Sequence, residues 1–386
     1  MTFIQNLKLH NFRCYERTEF SGLHAGLIVL HGANGAGKTN ALEAVSLLSP
    51  GRGLRGAKMA EIQKTPHPNP LPEGEGKSWA VAAQVQTEYG PVQVGTGLDA
   101  GGDKRLIRVN GENARGQAAL AEYVACVWLT PQMDRLFIDS ASHRRKFLDR
   151  LVFGFDPGHS GRVSRYENAM RQRSKLLAEG GADASWLDSL EAQMAETGTA
   201  IAAARLDFAQ RLQAACLTAE NPHFPTAHLT VYGTLEALLV SASALEVEEL
   251  FAYQLAHSRT KDAITGGAAT GPHKSDLLVR YAAKDMAADQ CSTGEQKALL
   301  IGITLAHARL IAGERGFAPI LLLDEVAAHL DEERRAGLYD LLQALGGQVW
   351  LTGTDAALFS GIEGAAQFFE VRDGEILTAS CFAKAS

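Results

Sequence analysis

The sequence predicts an α/β fold in which both ends of the chain build one head and a helical lobe lies between them. Three observations predict it. An apolar run, Gly26 to Leu30, passes through Gly32-Ala33-Asn34-Gly35-Ala36-Gly37-Lys38-Thr39 into a helical stretch, Asn40 to Val45. A second apolar run, Pro319 to Leu323, ends in two carboxylates, Asp324 and Glu325. Between them, two segments carry apolar residues at alternating spacings of three and four, the seam of paired helices.

The first element is a strand, loop and helix with the spacing G-x-x-x-x-G-K-T, a phosphate-binding loop in its required context. Glycines let successive backbone N–H groups turn inward toward phosphate oxygens, and the helix N-terminus adds partial positive charge. Lys38 can reach the β- and γ-phosphates of a nucleotide, and the Thr39 hydroxyl can bind Mg²⁺. Asn40 opens the helix beside them. Cofactors of ATP and Mg²⁺ follow.

The second element supplies oxygen ligands. Mg²⁺ takes oxygen donors and keeps waters, so Asp324 suits a partner of the metal opposite Thr39. Glu325, one residue on, suits the base that orients and deprotonates an attacking water. Ser292-Thr293-Gly294-Glu295-Gln296 has the S-x-x-E spacing of a capping box before an apolar helix, Ala298 to Leu310. Its place shortly before the carboxylate strand is where ATPases of the ABC type carry their signature, a helix N-terminus that meets a γ-phosphate. Asp331, in His-Leu-Asp, follows as the D-loop residue. This order predicts an ABC-type P-loop ATPase head, with a mixed central sheet plus antiparallel strands. It also predicts a site closed in trans by a second copy, an ATP-dependent homodimer.

The middle of the chain predicts an arm. Leu187, Leu190, Met194, Thr197, Ile201, Ala204 and Phe208 keep heptad spacing, as do Val163, Tyr166, Met170, Arg173 and Leu177. Gly180-Gly181 separates the two stretches and allows a short antiparallel coiled coil. From Leu187 to Phe208 the helix runs roughly 30 Å at about 1.5 Å per residue. A strand near Leu229 to Tyr232 and a helix near Leu245 to His257 finish this lobe, and Ser275 to Tyr281 leads back to the head. The expected divisions are residues 1–145 and 266–386 for the head and 146–265 for the arm lobe.

Composition bounds the function class. Apolar content of 46% and charged content of 21% describe a globular chain able to bury a large core. The start lacks a signal peptide's pattern and no run has membrane-spanning length, which predicts a cytoplasmic protein with no membrane partner. Cys14, Cys126, Cys216, Cys291 and Cys381 show neither zinc nor disulfide spacing. Net charge is −7, so DNA contact needs a local basic surface. Basic clusters occur at Arg52, Arg55 and Lys58, at Arg144 to Lys146, and along the arm at Arg162, Arg165, Arg171, Arg173 and Lys175, of which Arg165, Arg171 and Arg173 are the candidate DNA contacts. Residues 64–77, rich in proline, glycine and glutamate, read as a flexible surface insertion; Pro-Leu-Pro can be coded by pyrimidine-rich triplets and Glu-Gly-Glu-Gly by purine-rich ones, which suggests a translated palindromic repeat.

These residues together resemble the RecF family, whose heads are related to those of SMC proteins. The likeness covers Leu7 to Arg13, the phosphate loop, Gly51 to Arg55, and Thr130-Pro131-Gln132 with Arg144-Arg145-Lys146-Phe147-Leu148-Asp149. It continues through Thr270-Gly271-Pro272-His273-Lys274-Ser275-Asp276-Leu277, the signature, and Leu330 to Arg335. The resemblance implies a weak DNA-dependent ATPase of recombinational repair. Its dimer binds DNA at single-strand gaps and junctions, and helps RecO and RecR load RecA. It further implies that Arg13 contacts nucleotide and that Gln132 links Mg²⁺ to the arm. Transporter ATPases carry a switch histidine after the strand Gln348 to Leu351; here Thr352 and Thr354 stand there instead, which implies slow turnover. A transporter subunit and a nuclease-linked ATPase are the rival readings; the arm and the missing histidine argue against the first, and the short tail after Gly374 against the second.

Overall fold

The computed structural model of the chain describes residues 1–63, 78–98, 104–180, 183–218 and 223–378. The insertion expected at 64–77 and Cys381 lie outside them. The chain opens with β1 (Phe3–Phe12), β2 (Tyr15–Phe20), β3 (Leu27–His31) and α1 (Lys38–Ser46). A meander follows, β4 (Trp79–Thr87), β5 (Gly90–Leu98), β6 (Arg105–Val109) and β7 (Glu112–Asn113), and then β8 (Cys126–Leu129). Next come α2 (Ala141–Phe153), α3 (His159–Glu179), α4 (Ala184–Thr218), β9 (Ala227–Tyr232), α5 (Thr234–Leu239), α6 (Ala244–His257) and α7 (Arg259–Thr265). The chain continues through β10 (Asp276–Tyr281), β11 (Met286–Ala287), α8 (Thr293–Arg315), β12 (Ile320–Leu323), α9 (Glu332–Ala344), β13 (Val349–Gly353), β14 (Ala366–Arg372) and β15 (Glu375–Thr378).

Two compact units result: Met1–Met133 with 222–224 and Ala308–Ser386, and Asp134–Asn221 with Pro225–His307. In the first, six antiparallel strands run in the order β2-β1-β4-β5-β6-β7. A second sheet runs β15-β14-β3-β13-β12-β8, parallel throughout except for the β14–β15 hairpin. Parallel strands buried on both faces must be apolar at every position, and β12 (Ile-Leu-Leu-Leu) is. The antiparallel sheet instead alternates: β1 buries Ile4, Leu7, Leu9 and Phe12, and β4 buries Trp79, Val81, Ala83 and Val85. Those faces pack with α1 into one core.

The second unit is built on the α3–α4 hairpin. Tyr166, Leu190, Met194, Ile201 and Phe251 form its core, with Leu187, Thr197 and Phe208 also buried. Most of the α4 seam is where the spacing puts it, except that Ala204 is half-buried while Ala202 and Arg205 are buried; on α3, Tyr166 and Arg173 are buried, Val163 and Met170 are half-buried against the core, and Leu176 packs there instead of Leu177. At 35 residues α4 extends well past the heptad stretch, roughly 52 Å at 1.5 Å per residue. This unit is wider than the expected 146–265. Ser275 to Tyr281 does not return to the head: β10 pairs antiparallel with β9, from Asp276 opposite Tyr232 to Tyr281 opposite Ala227. Alternating apolar residues identify a strand but not the sheet that takes it.

Candidate nucleotide site and the family of the chain

Three neighbouring strands of the mixed sheet bring the nucleotide motifs together. β13 lies between β3 and β12, so the ends of all three strands stand side by side. The phosphate loop follows β3, the paired carboxylates follow β12, and Thr352 sits near the end of β13. Thr39 Oγ1 lies 2.9 and 3.0 Å from the two oxygens of Asp324. Thr352 Oγ1 donates to Asp324 Oδ1 at 2.8 Å and accepts the N–H of Glu325 at 2.9 Å. Glu325 sits in the left-handed region, φ 54°, a conformation that non-glycine residues hold only when surroundings fix it.

The loop is shaped by close backbone approach. A Cβ on Gly32, whose φ is 147°, would stand 2.2 Å from the Val371 carbonyl oxygen. One on Gly37, φ 122°, would strike Cys14 Sγ and the Tyr15 hydroxyl. Gly37 caps α1 without a side-chain acceptor and no acidic residue enters the first turn, so the helix N-terminus keeps its donors for an anion. Tyr15 donates to the Gly37 carbonyl at 2.9 Å, and Asn40 Nδ2 lies 3.1 Å from Cys14 Sγ. Burial, with Cys14 adding to it, pushes the Tyr15 hydroxyl pKa far up; the group stays neutral and serves as a strut. Cys14 and Tyr15 escape sequence reasoning because neither belongs to a nucleotide motif.

Ala33, Asn34 and Gly35 form the exposed crown of the loop, and Ala36 lies buried beneath it. Lys38 is buried and folds over the loop, with Nζ on the carbonyls of Gly32 at 2.7 Å and Ala33 at 2.9 Å. Burial lowers its pKa, opposed by Glu325 and then Asp324. An anion placed in the loop reverses that penalty, because it gives the ammonium a counter-charge. The Thr39 hydroxyl and the Asp324 carboxylate are hard oxygen donors within contact of each other, the donor chemistry Mg²⁺ takes.

Other expected residues have different surroundings. Arg13 forks onto Glu43 of α1, Nε at 2.8 Å and Nη2 at 2.6 Å, and donates Nη1 to the Glu61 carbonyl. Arg55 meets the same carboxylate at 3.0 Å. Three of the five N–H donors of Arg13 are thereby engaged within the head. Gln132 is exposed on the turn directly after β8, the strand beside β12. Asp331 is exposed and caps α9, accepting the Arg334 N–H at 2.8 Å.

The signature segment lies in the second unit. Ser292 and Glu295 form a reciprocal box: Ser292 N–H donates to Glu295 Oε2 at 2.9 Å, and Glu295 N–H to Ser292 Oγ at 3.4 Å. The Lys284 ammonium paired with Glu295, then the Ser292 donors, hold its carboxyl down at about 2. Thr293 and Gly294 are exposed in the first turn, and Gln296 is buried with Nε2 on the Cys291 carbonyl at 2.9 Å.

One arm residue is corrected. Arg173 does not face solvent; it is 1% exposed, with Nε on Glu191 and Nη1 on Asp262, each at 2.8 Å. Its guanidinium is buried toward the end of α3 that turns into α4, where it holds the two helices and α7 together instead of facing solvent. Heptad spacing had already placed Arg173 on the seam, and the seam prevails over the basic pattern. Arg165 and Arg171 are exposed on α3.

Two of the segments that carry the family likeness, Arg144 to Asp149 and Thr270 to Leu277, interlock. Arg144 pairs bidentately with Asp276 at 2.7 Å, and Arg145 donates to the Ser275 carbonyl at 2.7 Å. Arg205 pairs with Asp149 at 2.8 Å and donates to the Pro272 carbonyl at 2.6 Å. His273 Nδ1 meets the Tyr166 hydroxyl at 2.7 Å. A Cβ on Gly271, φ 139°, would stand 2.3 Å from that hydroxyl. These residues brace the base of the arm.

The profile of the RecF/RecN/SMC N terminal domain matches residues 3–376. The DNA replication and repair protein RecF of Mesorhizobium japonicum is 48% identical over 379 residues, covering 97% of each chain. The chain belongs to the RecF family. The Brucella suis protein of the same name is 48% identical over 97% of this chain and 95% of its own. Among solved structures, a RecF–ATP complex of the RecFOR pathway is similar at a TM-score of 0.81, with 23% identity and 98% coverage of both chains. An SMC head domain from Pyrococcus furiosus is similar at 0.53, with 17% identity over 98% of this chain and 97% of that one. The fold is thus the α/β head shared by RecF and SMC proteins. Among the described residues, no helix is long and apolar enough to cross a membrane.

Proposed function

We propose that this chain is an ATP-binding, slowly hydrolysing protein of DNA replication and repair. The observation that carries the reading is the Thr39–Asp324–Thr352 cluster beside Lys38, with Glu325 one residue beyond. In this reading the loop N–H groups bind the phosphates, and Lys38 exchanges the Gly32 and Ala33 carbonyls for phosphate oxygens. Thr39 and Asp324 hold Mg²⁺, which when bound offsets the phosphate charge. Glu325 takes the proton of the attacking water. Ser292 to Gln296 of a second copy close the site, so ATP and not ADP drives dimerisation.

The relatives' names support a role in replication and repair. The dimer holds DNA at single-strand gaps and junctions, RecO and RecR act with it, and RecA is loaded as a result; hydrolysis resets the cycle. Retention of the purified protein on gapped duplex DNA, with ATP, with ADP and without nucleotide, tests the core of this reading. Retention only with ATP is expected. Equal retention in all three would sink it.

A further inference from the structure

Between Arg211 and Arg259 the sequence holds no lysine or arginine, and among the described residues it holds four glutamates, Glu236 on α5 and Glu246, Glu248 and Glu249 on α6. This stretch makes the end of α4, β9, α5 and α6 of the second unit. It exposes Tyr232, Val240, Leu245, Leu250 and Tyr253 to solvent. A surface that is acidic and apolar repels a phosphate backbone and suits a protein.

Within it lies an open sheet edge. The three-stranded sheet runs β11-β10-β9, so among the described residues β9 has a strand on one side only. On the other side the Gln213 side chain imitates a strand peptide. Its amide oxygen accepts the Leu229 N–H at 2.5 Å, and its amide nitrogen donates to the Ala227 carbonyl at 3.3 Å. Alternate residues of an antiparallel strand direct their backbone groups to the same side. Val231, two beyond Leu229, therefore faces the same edge one step past the residues that Gln213 bonds.

Beside Val231 is a groove of about 290 Å³, bordered by Leu206, Ala209, Ala237, Val240 and Glu236. Glu236 Oε1 accepts the Ser275 hydroxyl at 2.6 Å. Its buried Oε2 has no hydrogen-bond partner among the described residues. Edges of this kind are usually blunted by proline, lysine or a bulge. The strand Ala-His-Leu-Thr-Val-Tyr contains neither proline nor lysine, and its register with β10 is unbroken.

We propose that the β9 edge is a docking site for an extended segment of a basic protein partner. The segment adds as a further strand at Val231 and places an aliphatic side chain in the groove. A lysine or arginine of the segment answers Glu236, whose unpartnered Oε2 borders the groove. A second copy of this chain would bring the same glutamates to the interface, so charge disfavours it.

The test uses the full chain and a short labelled peptide alternating valine and lysine, followed by fluorescence anisotropy. Two controls accompany it: a valine–glutamate peptide, and the valine–lysine peptide with backbone N-methylation, which removes ladder donors. Val231→Pro removes the outward N–H while sparing the β10 ladder, and Val240→Lys changes an exposed position. Saturable binding of the valine–lysine peptide alone is expected, weakened roughly tenfold or more by either substitution. Absence of saturable binding, tolerance of N-methylation, or wild-type affinity in Val240→Lys would overturn the proposal. Self-association that Val240→Lys abolishes would also overturn it, since the occupant would then be a second copy. Neither residue belongs to the nucleotide site, so ATP turnover stays normal in both variants and the result stands apart from the ATPase reading.

Discussion

Thr352 Oγ1 donates its proton to Asp324 Oδ1 at 2.8 Å and, through a lone pair, accepts the backbone N–H of Glu325. One buried hydroxyl thus fixes both carboxylate residues, and it holds Glu325 where φ is 54°. Thr354, the other candidate after β13, is exposed and lies outside this pair of bonds.

Replacing Thr352 with valine keeps the shape and removes the hydroxyl. The unmade bonds cost about 1–3 kcal/mol, which slows turnover roughly 5- to 150-fold if it falls on the placement of Glu325. ATP affinity stays near normal and Thr352→Ser restores the rate. Single-turnover hydrolysis measures this; unchanged rates in the valine variant would remove the hydroxyl from the mechanism.

Glu325→Gln keeps size and hydrogen bonding but takes away the base. The variant binds ATP, hydrolyses it far more slowly, and accumulates as dimer in light scattering. Lys38→Ala behaves differently: it loses nucleotide affinity because the buried ammonium is the loop's counter-charge. Hydrolysis at the wild-type rate by Glu325→Gln would assign the base elsewhere.

Arg173 and its exposed neighbours on α3 separate stability from DNA binding. Arg173→Met leaves Glu191 and Asp262 without their shared cation, and breaking such a buried pair costs about 3–5 kcal/mol. Thermal unfolding reports the loss. Arg165→Gln with Arg171→Gln leaves the melting temperature unchanged. That double variant makes the slope of log affinity for DNA against log salt shallower by up to about two. An unaltered slope would take the arm out of the DNA interface.

The capping box of α8 predicts a pH window. Lys284 and Ser292 depress the Glu295 carboxyl from its ordinary 4.5 to about 2. A depressed acid stabilises the folded state fully above its ordinary value, and the contribution fades as pH falls toward about 2. Solvent screening at this exposed site keeps it small. The difference in melting temperature between the wild type and Glu295→Gln is expected to stay flat near neutrality and shrink below about pH 4.5. A difference that grows in acid would refute the assignment.

The sequence makes the ATPase head legible because its motifs couple backbone and chemistry. Gly32, Gly37 and Lys38 need their spacing to curl the loop, and Ile320 to Leu323 are apolar because both faces are covered. Pairing partners are less legible. β10 carries the right alternation, yet nothing local says that its neighbour is β9. Arg173 shows the same gap from the other side: a cation on a helix reads as surface until Glu191 and Asp262, distant in sequence, are found around it. Thr352 reads from the sequence as a stand-in for a missing histidine, while its bond to Asp324 follows only from the order of β3, β13 and β12.

The last prediction concerns completion of the site by a second copy. The phosphate loop and its carboxylates belong to the first unit, and the Ser292 box begins α8 in the second. If each nucleotide lies between Lys38 of one chain and the Ser292 turn of its partner, the two halves can be damaged separately. Ser292→Arg places bulk and charge on the exposed signature turn. It should abolish ATP-driven dimerisation and hydrolysis while monomer ATP binding stays near normal. Lys38→Ala should lose binding itself. Mixing the two restores one intact composite site per mixed dimer, so partial hydrolysis returns although neither parent has any. Activity in the mixture, measured against each parent at equal total protein, checks this. A Ser292→Arg protein that alone remains dimeric and active would refute sharing of the site.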